Sequence, residues 1–319
     1  MKVLIADKFE AFGIAELKKI ADEVTCEPEL KDEALTKRVA EYDPAVLIVR
    51  STKVSADTLK AGKQLKVVIR AGSGYDTIDV KAASERGVKV SNCPGMNAVA
   101  VAELVLGHIL NMDRRIADNV ADLRAHKWNK KEYSKARGLK GNTLGIVGMG
   151  RIGTEVAKRA LAFDMKVLWY DVIADLKPLD HPNCKRAPLD QIFREADVIT
   201  LHVPGTGDTK HLVNAGRLAT MKPNAMLINT SRASVVDEPA LIAALKEKKI
   251  RAAAVDVYEN EPAADAKEIT SPLADVANLY GTHHIGASTE QAQTAVAEET
   301  VRIVAEFKKT GKVRNCVNP

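Results

Sequence analysis

The sequence predicts an α/β chain of two parallel-sheet units, and three observations lead there. Short runs of aliphatic and β-branched residues alternate with segments of helical period along nearly all of the 319 residues. One such run, Thr143 to Val147, breaks into glycines at Gly148, Gly150 and Gly153 and passes at once into a helical pattern. A second break, Ser91 to Asn97, contains Pro94 and Gly95 and separates an earlier set of alternating elements from a later one. The length suits two domains.

In chain order, Val3 to Ala6 reads as a buried strand and Glu10 to Ile20 as a helix. Lys31 to Ala40 is a second helix and Ala45 to Val49 a second strand. A short helix near Ala56 to Ala61, a strand from Leu65 to Ile69, a helix from Asp79 to Arg86 and a strand from Val88 to Val90 complete the first set. Ala98 to Arg115 is one long, largely apolar helix, too polar at its end to cross a membrane. The second set has six strands, at 143–147, 166–170, 198–202, 225–229, 252–257 and 278–281, with helices between them. Asp237-Glu238-Pro239 opens one of those helices with an acid cap and an early proline. Ser288 to Lys309 is again helical, with Ser288 as its cap and Val296, Thr300, Val301, Val304 and Phe307 on its apolar stripe. With no strand pattern left to join in the second set, this helix is expected to return to the first. The domains then run 1–96 with 287–319, and 97–286.

Composition narrows the class. A chain 46% hydrophobic and 28% charged is an ordinary globular one, and a net charge of +5 is too mild to imply a nucleic-acid partner, though it favours anionic ligands. The basic run Lys127 to Lys135 reads as a solvated loop, with a phosphate contact or a subunit contact as the alternatives. Cys26, Cys93, Cys184 and Cys316 are scattered, which gives no metal knuckle and suggests free thiols in a reducing compartment. Met1 to Asp7 is too short an apolar run for a signal peptide, and nothing approaches a membrane span. A cytoplasmic protein without metal is expected.

The glycine turn carries the first functional expectation. Gly148 permits the tight turn off the strand, Gly150 lets a pyrophosphate approach the backbone, and Gly153 lets helix and strand pack closely. The helix that follows offers free N–H groups to phosphate. Lys166 to Tyr170 is the next strand, and Asp171 closes it roughly twenty positions after Gly148. There a carboxylate can accept hydrogen bonds from the adenosine ribose. A 2′-phosphate would be repelled at a cost of ~1–4 kcal/mol. With no Arg or Lys in Val172-Ile173-Ala174 to offset that charge, the expected cofactor is NAD rather than NADP.

Ligands of such sheets bind beyond the carboxyl ends of the strands. There stand Thr230, Ser231 and Arg232, then Glu259 and Glu261, then His283 and His284. Taken singly, Arg232 suits a surface, Glu261 a turn before Pro262, and His284 a structural role. Together they have a chemical meaning. Alcohol oxidation by hydride transfer needs a base for the hydroxyl proton, for which His is suited. A carboxylate beside that His orients its ring, and an Arg clamps a substrate carboxylate through two hydrogen bonds.

Across essentially its whole length the chain resembles the D-2-hydroxyacid dehydrogenase family. The matching stretches are Arg70 to Gly74, Asn92 to Asn97, Gly148 to Gly153, Asn229 to Arg232, Asp256 to Pro262 and His284 to Ala287. The resemblance implies a Rossmann-type NAD domain, a smaller flavodoxin-like substrate domain, and a cleft between them. It implies Arg232 as substrate clamp, Glu261 as partner acid and His284 as acid/base. It also implies NAD contacts from Ser73, Arg151, Ile152, Asp171, Val203, Thr230, Ser231, Asp256, Gly286 and Ala287 beside the three glycines. A homodimer or homotetramer built around residues 98–140 is implied as well. The family commonly has proline before the histidine, where this chain has His283. Ile285-Gly286-Ala287 favours His284 as the base, and an extended segment would turn His283 away.

Within the family the nearest likeness is to the branch that oxidises 3-phospho-D-glycerate, in a short form without a C-terminal regulatory domain. Arg50 and Arg70 follow strands and would hold the phosphate, with Ser73 and Gly74 beside the substrate. The alternatives are a glyoxylate or hydroxypyruvate reductase, or, in another class, an NAD-sensing corepressor. A formate dehydrogenase would carry glutamine rather than Glu261. Ala71 removes the first glycine that a nucleophilic Ser73 would need.

Overall fold

In the computed structural model, which describes residues 1–262 and 266–319, the contacts divide the chain into Met1–Asn97 with Ser288–Pro319, and Ala98–Ala287. The sequence boundaries stood one residue earlier. Among the described residues no helix is long and apolar enough to cross a membrane.

The first unit alternates strands β1 (Lys2–Ile5), β2 (Glu23–Cys26), β3 (Val46–Val49), β4 (Val67–Arg70) and β5 (Lys89–Asn92) with helices α1 (Ala11–Ile20), α2 (Asp32–Tyr42), α3 (Ala56–Ala61) and α4 (Val80–Glu85). The strands form one parallel sheet in the order β2-β1-β3-β4-β5, which is flavodoxin-like. Strand β3 is apolar throughout and fully buried, as a parallel strand covered on both faces must be. Strand β2 was not expected from the sequence. Its Glu-Val-Thr-Cys is half exposed at the sheet edge, so no apolar run marks it.

The second unit opens with α5 (Ala98–Arg114), α6 (Ile116–Arg124) and α7 (Lys130–Tyr133). The long helix expected to reach Arg115 ends at Arg114, because Arg115 turns left-handed at φ 52 and starts α6. The basic run expected to be a loop contains the single exposed turn α7. Then follow β6 (Thr143–Val147), α8 (Arg151–Ala162), β7 (Lys166–Tyr170), β8 (Cys184–Arg186), α9 (Leu189–Glu195), β9 (Val198–Leu201), α10 (Ala215–Thr220), β10 (Met226–Asn229), α11 (Glu238–Lys246), β11 (Ala252–Val255) and β12 (Leu279–Gly281). Among the described residues the unit's seven strands are all parallel, in the order β12-β11-β10-β9-β6-β7-β8. One strand more than the six expected is present. Strand β8 is Cys-Lys-Arg at the edge, too short and too polar to show a period. The order reverses between β6 and β9, which opens a crevice at the carboxyl ends of those strands.

Helix α12 (Glu290–Thr310) belongs to the first unit. Its Ile303 and Val304 share a core with Val3, Ile5 and Leu17. Its cap is Thr289, not Ser288: the Thr289 hydroxyl accepts the Ala292 N–H at 3.2 Å. Beyond Gly311, at φ 70, the tail covers the exposed edge of β5. Val317 N donates to Val90 O, the Ser91 hydroxyl donates to Arg314 O, and Asn318 Oδ1 accepts the Val90 N–H at 2.6 Å. Asn318 also donates to Val88 O and Ser84 Oγ. A bare strand edge would invite pairing with another chain. Asn318→Ala leaves Val90 N without this partner and should lower unfolding free energy by about 1–3 kcal/mol in urea titrations. An unchanged midpoint would mean that the tail does not hold the edge.

Candidate active site

The glycine turn is built as a phosphate cradle. A Cβ on Gly148, at φ 94, would stand 2.5 Å from His202 O, and a Cβ on Gly153 would collide with Gly148 O. Only hydrogen fits at either position, so β6 and α8 can approach closely. A Cβ on Gly150 would meet nothing within 4 Å, so the space above it is open. Gly150 is the N-cap of α8 and no side chain caps the helix, which leaves donors of its first turn to a ligand. Arg151 is exposed and Ile152 half-buried in that first turn. Among the described residues, nearby strand ends supply two buried polar atoms without a partner, Thr230 Oγ1 after β10 and His202 Nδ1 after β9. Val203, half-buried, follows that histidine. An open cradle, an uncapped helix and orphaned polar atoms fit a dinucleotide.

Asp171 sits at the end of β7, where its carboxylate accepts the Met149 N–H at 2.8 Å and the Ile173 N–H at 3.0 Å. It therefore joins the glycine turn to the next strand, with lone pairs left for ribose hydroxyls. The absence of a basic residue in 172–174 does not mean that no cation is near. Arg186, on β8, donates to Asp171 O at 2.7 Å and to Ala174 O, and stacks over Trp169 at 5.3 Å. Its guanidinium braces the 171–174 turn.

Arg232, Glu261 and His284 stand on the loops after β10, β11 and β12, at one edge of one sheet. His284 Nδ1 lies 2.6 and 2.8 Å from the two Glu261 oxygens, with both side chains about half exposed. Arg232 donates to Ser231 O at 2.8 Å, and its aliphatic carbons lie over Gly205. The segment is not extended, as the reading of His283 required. His284 is left-handed at φ 51, while His283 is exposed.

The loops are held by residues whose supporting role the sequence did not show. Buried Asp256, expected at the cofactor, accepts the Thr282 hydroxyl at 2.6 Å, the Ile285 N–H at 2.9 Å and the Gly286 N–H at 2.8 Å. It thus clamps both sides of His284. Ala287 follows, half-buried. Thr282 also meets His108 Nε2 at 3.3 Å, and burial pushes that imidazole's pKa down. The Tyr258 hydroxyl donates to Thr282 O at 3.0 Å, tying the loop of Glu261 to that of His284. Asn229 accepts from Ser231 N and Oγ and donates to Arg232 O, which fixes the third loop. The Ser231 hydroxyl is thereby taken up inside the loop. Only the buried partners reveal these roles, and the DVYENEP and NTSR motifs were the only signal.

In the first unit, Arg50 follows β3 and Arg70 ends β4, at the carboxyl edge of the five-stranded sheet. Asp7, after β1, accepts the N–H groups of Arg50, Ser51 and Thr52 and so pins the Arg50 turn. The Arg70 guanidinium folds over Gly72, where a Cβ would displace it. The Ser73 hydroxyl donates to Asn97 Oδ1 at 2.6 Å and accepts from Gly95 N, with Gly74 next to it half-buried.

Residues 106–286 match the family described as D-isomer specific 2-hydroxyacid dehydrogenase, NAD binding domain. A hydroxypyruvate reductase of Thermotoga maritima is 46% identical over 290 residues, 91% of either chain. A D-3-phosphoglycerate dehydrogenase of Methanocaldococcus jannaschii is 40% identical over all of this chain, which spans only 59% of that protein. Among solved structures, a D-lactate dehydrogenase from Aquifex aeolicus complexed with NAD and lactic acid superposes with a TM-score of 0.84, at 28% identity over 100% of this chain and 99% of that one. The second unit is an NAD-binding domain.

Burial pushes the His202 imidazole down to about 3. An unfolded imidazole titrates near 6.5. Between those values the unfolded chain binds a proton that the folded chain refuses, so stability falls as pH drops through that window. His202→Gln should therefore flatten the decline of the urea midpoint between about pH 7 and about pH 4. The same slope in wild type and variant would reject this origin.

Proposed function

The chain belongs to the D-isomer specific 2-hydroxyacid dehydrogenase family, and from that premise we propose that it oxidises 3-phospho-D-glycerate to 3-phosphohydroxypyruvate, the opening step of serine biosynthesis. The observation that carries a dehydrogenase site is the His284–Glu261 pair on the same sheet edge as Arg232 and the glycine turn. NAD supplies the hydride acceptor for C2. Glu261 holds His284 through Nδ1, which leaves Nε2 to take the hydroxyl proton of the substrate. Arg232 holds the substrate carboxylate by a two-pronged hydrogen bond. Arg50 and Arg70 supply the phosphate contacts. In the reverse direction His284 returns the proton to the ketone oxygen. The Asp171 carboxylate supports NAD over NADP, and the tethering of Arg186 to backbone carbonyls is consistent with that choice.

A second reading, hydroxypyruvate or glyoxylate reduction, is favoured by the 46% identity to the Thermotoga reductase. The two differ in whether the substrate carries phosphate. Steady-state kinetics with 3-phosphohydroxypyruvate and hydroxypyruvate should show kcat/KM higher by about a hundredfold for the phosphorylated acid, falling toward parity in Arg50→Ala/Arg70→Ala. A wild-type preference for hydroxypyruvate selects the second reading. Turnover that is barely measurable with every acid would favour an NAD-sensing binding protein.

We also propose a homodimer or higher assembly through residues 98–140. Helix α6 buries none of its residues, and Ile116, Val120 and Leu123 form an exposed apolar stripe with Trp128 beyond it. Leu123→Asp should lower the molecular mass seen by sedimentation equilibrium. An unchanged mass would place the interface elsewhere.

A further inference from the structure

A cavity of about 250 Å³ lies in the second unit, away from the edge that carries the candidate active site. Asn224 precedes β10, Arg251 precedes β11, and Arg137 lies shortly before β6, so the cavity sits at the amino-terminal rim of the parallel sheet. Arg232, Glu261 and His284 stand at the other rim. A strand of four residues, such as β11, separates the rims by about 13 Å.

The cavity wall is strongly cationic. Arg114, Arg115, Lys135, Arg137 and Arg251 face Asp113 and Glu132, an excess of three positive charges. Both acids are already taken. Asp113, almost fully buried, accepts from Arg251 Nη1 at 3.2 Å and from the N–H groups of Arg137 and Gly138 at 3.2 and 3.0 Å. Glu132 accepts from Arg115 at 2.6 Å and Lys135 at 2.5 Å. Asp197 feels the charge of Arg137, but it binds Lys222 at 3.0 Å and the Thr143 N–H at 2.9 Å. The side chains of Arg114 and Arg137 make no ion pair or hydrogen bond among the described residues. Their backbones are fixed all the same. Arg114 ends α5, and the Arg137 N–H is bonded to Asp113. Two forked donors on ordered backbone thus stand solvent-exposed at a small recess whose acids are already bonded to other donors.

We propose that this recess is a second anion site, separate from the cofactor edge, for a compact oxyanion carrying at least two negative charges. Arg114 and Arg137 would hold it by forked hydrogen bonds, and Asn224 would add a neutral amide donor. The recess is smaller than the ~300–1,000 Å³ of pockets that take drug-sized ligands, which suits a diphosphate or a small polycarboxylate. The assignment does not depend on which 2-hydroxy acid the enzyme uses.

Isothermal titration of the full chain, with NAD saturating so that its own pyrophosphate site is filled, tests the proposal. Inorganic pyrophosphate and tricarballylate are the two probes, at constant ionic strength. Saturable binding of at least one is expected, weakened about ten- to a hundredfold in Arg114→Gln/Arg137→Gln, with kcat and KM unchanged. Asn224→Asp, on an exposed loop, brings a negative charge to the recess and serves as the deciding variant should the double substitution unfold. Absence of saturable heat with both probes, variants that bind as tightly as wild type, or a fall in the sedimentation mass of the variants, which would assign Arg114 and Arg137 to the subunit contact proposed for 98–140, would overturn the site.

Discussion

The candidate active site depends on one buried carboxylate. Asp256 accepts three hydrogen bonds from the segment 282–286, one from a hydroxyl and two from backbone N–H groups. A left-handed backbone at a non-glycine residue is costly unless its surroundings impose it. The bonds on either side of His284 do so, and they set the direction from which its ring meets Glu261. Asn229 and Tyr258 act similarly on the neighbouring loops. The three candidate side chains are therefore carried on loops that are themselves braced by buried polar groups, as positioning within a fraction of an ångström would require.

The parallel sheet separates two kinds of surface. At its carboxyl rim the strand order reverses beside β6, and backbone without Cβ atoms leaves room for phosphate. Arg151, Arg186 and Arg232 stand at that rim. At its amino rim the charges crowd, and acids such as Asp113 are consumed in holding the loop before β6 and the start of β11. A single fold thus presents an orienting site on one rim and an electrostatic recess on the other. The strand length keeps the two apart.

Much of this architecture was legible from local pattern. Strands β3, β4 and β6 are near-continuous apolar runs because they are covered on both faces, and burial writes itself into composition. The edge strands β2 and β8 escaped notice for the converse reason: half-exposed residues need no apolar period. The cap of α12 was off by one residue, since Ser288 and Thr289 offer the same hydroxyl chemistry and only the backbone angles choose between them.

By itself the sequence located the glycine turn, the acid at the end of β7, and Arg232, Glu261 and His284 as candidates beyond three successive strands, because strand ends and glycine turns are local patterns. Tertiary structure alone decided what surrounds them. Arg186 reaches Asp171 from a neighbouring strand, Asp256 turns to the His284 loop, and His284 leaves the extended conformation. The reason is physical. Hydrogen-bond partners of buried polar groups are set by proximity in space, and residues far apart in the chain carry no local pattern that announces their meeting.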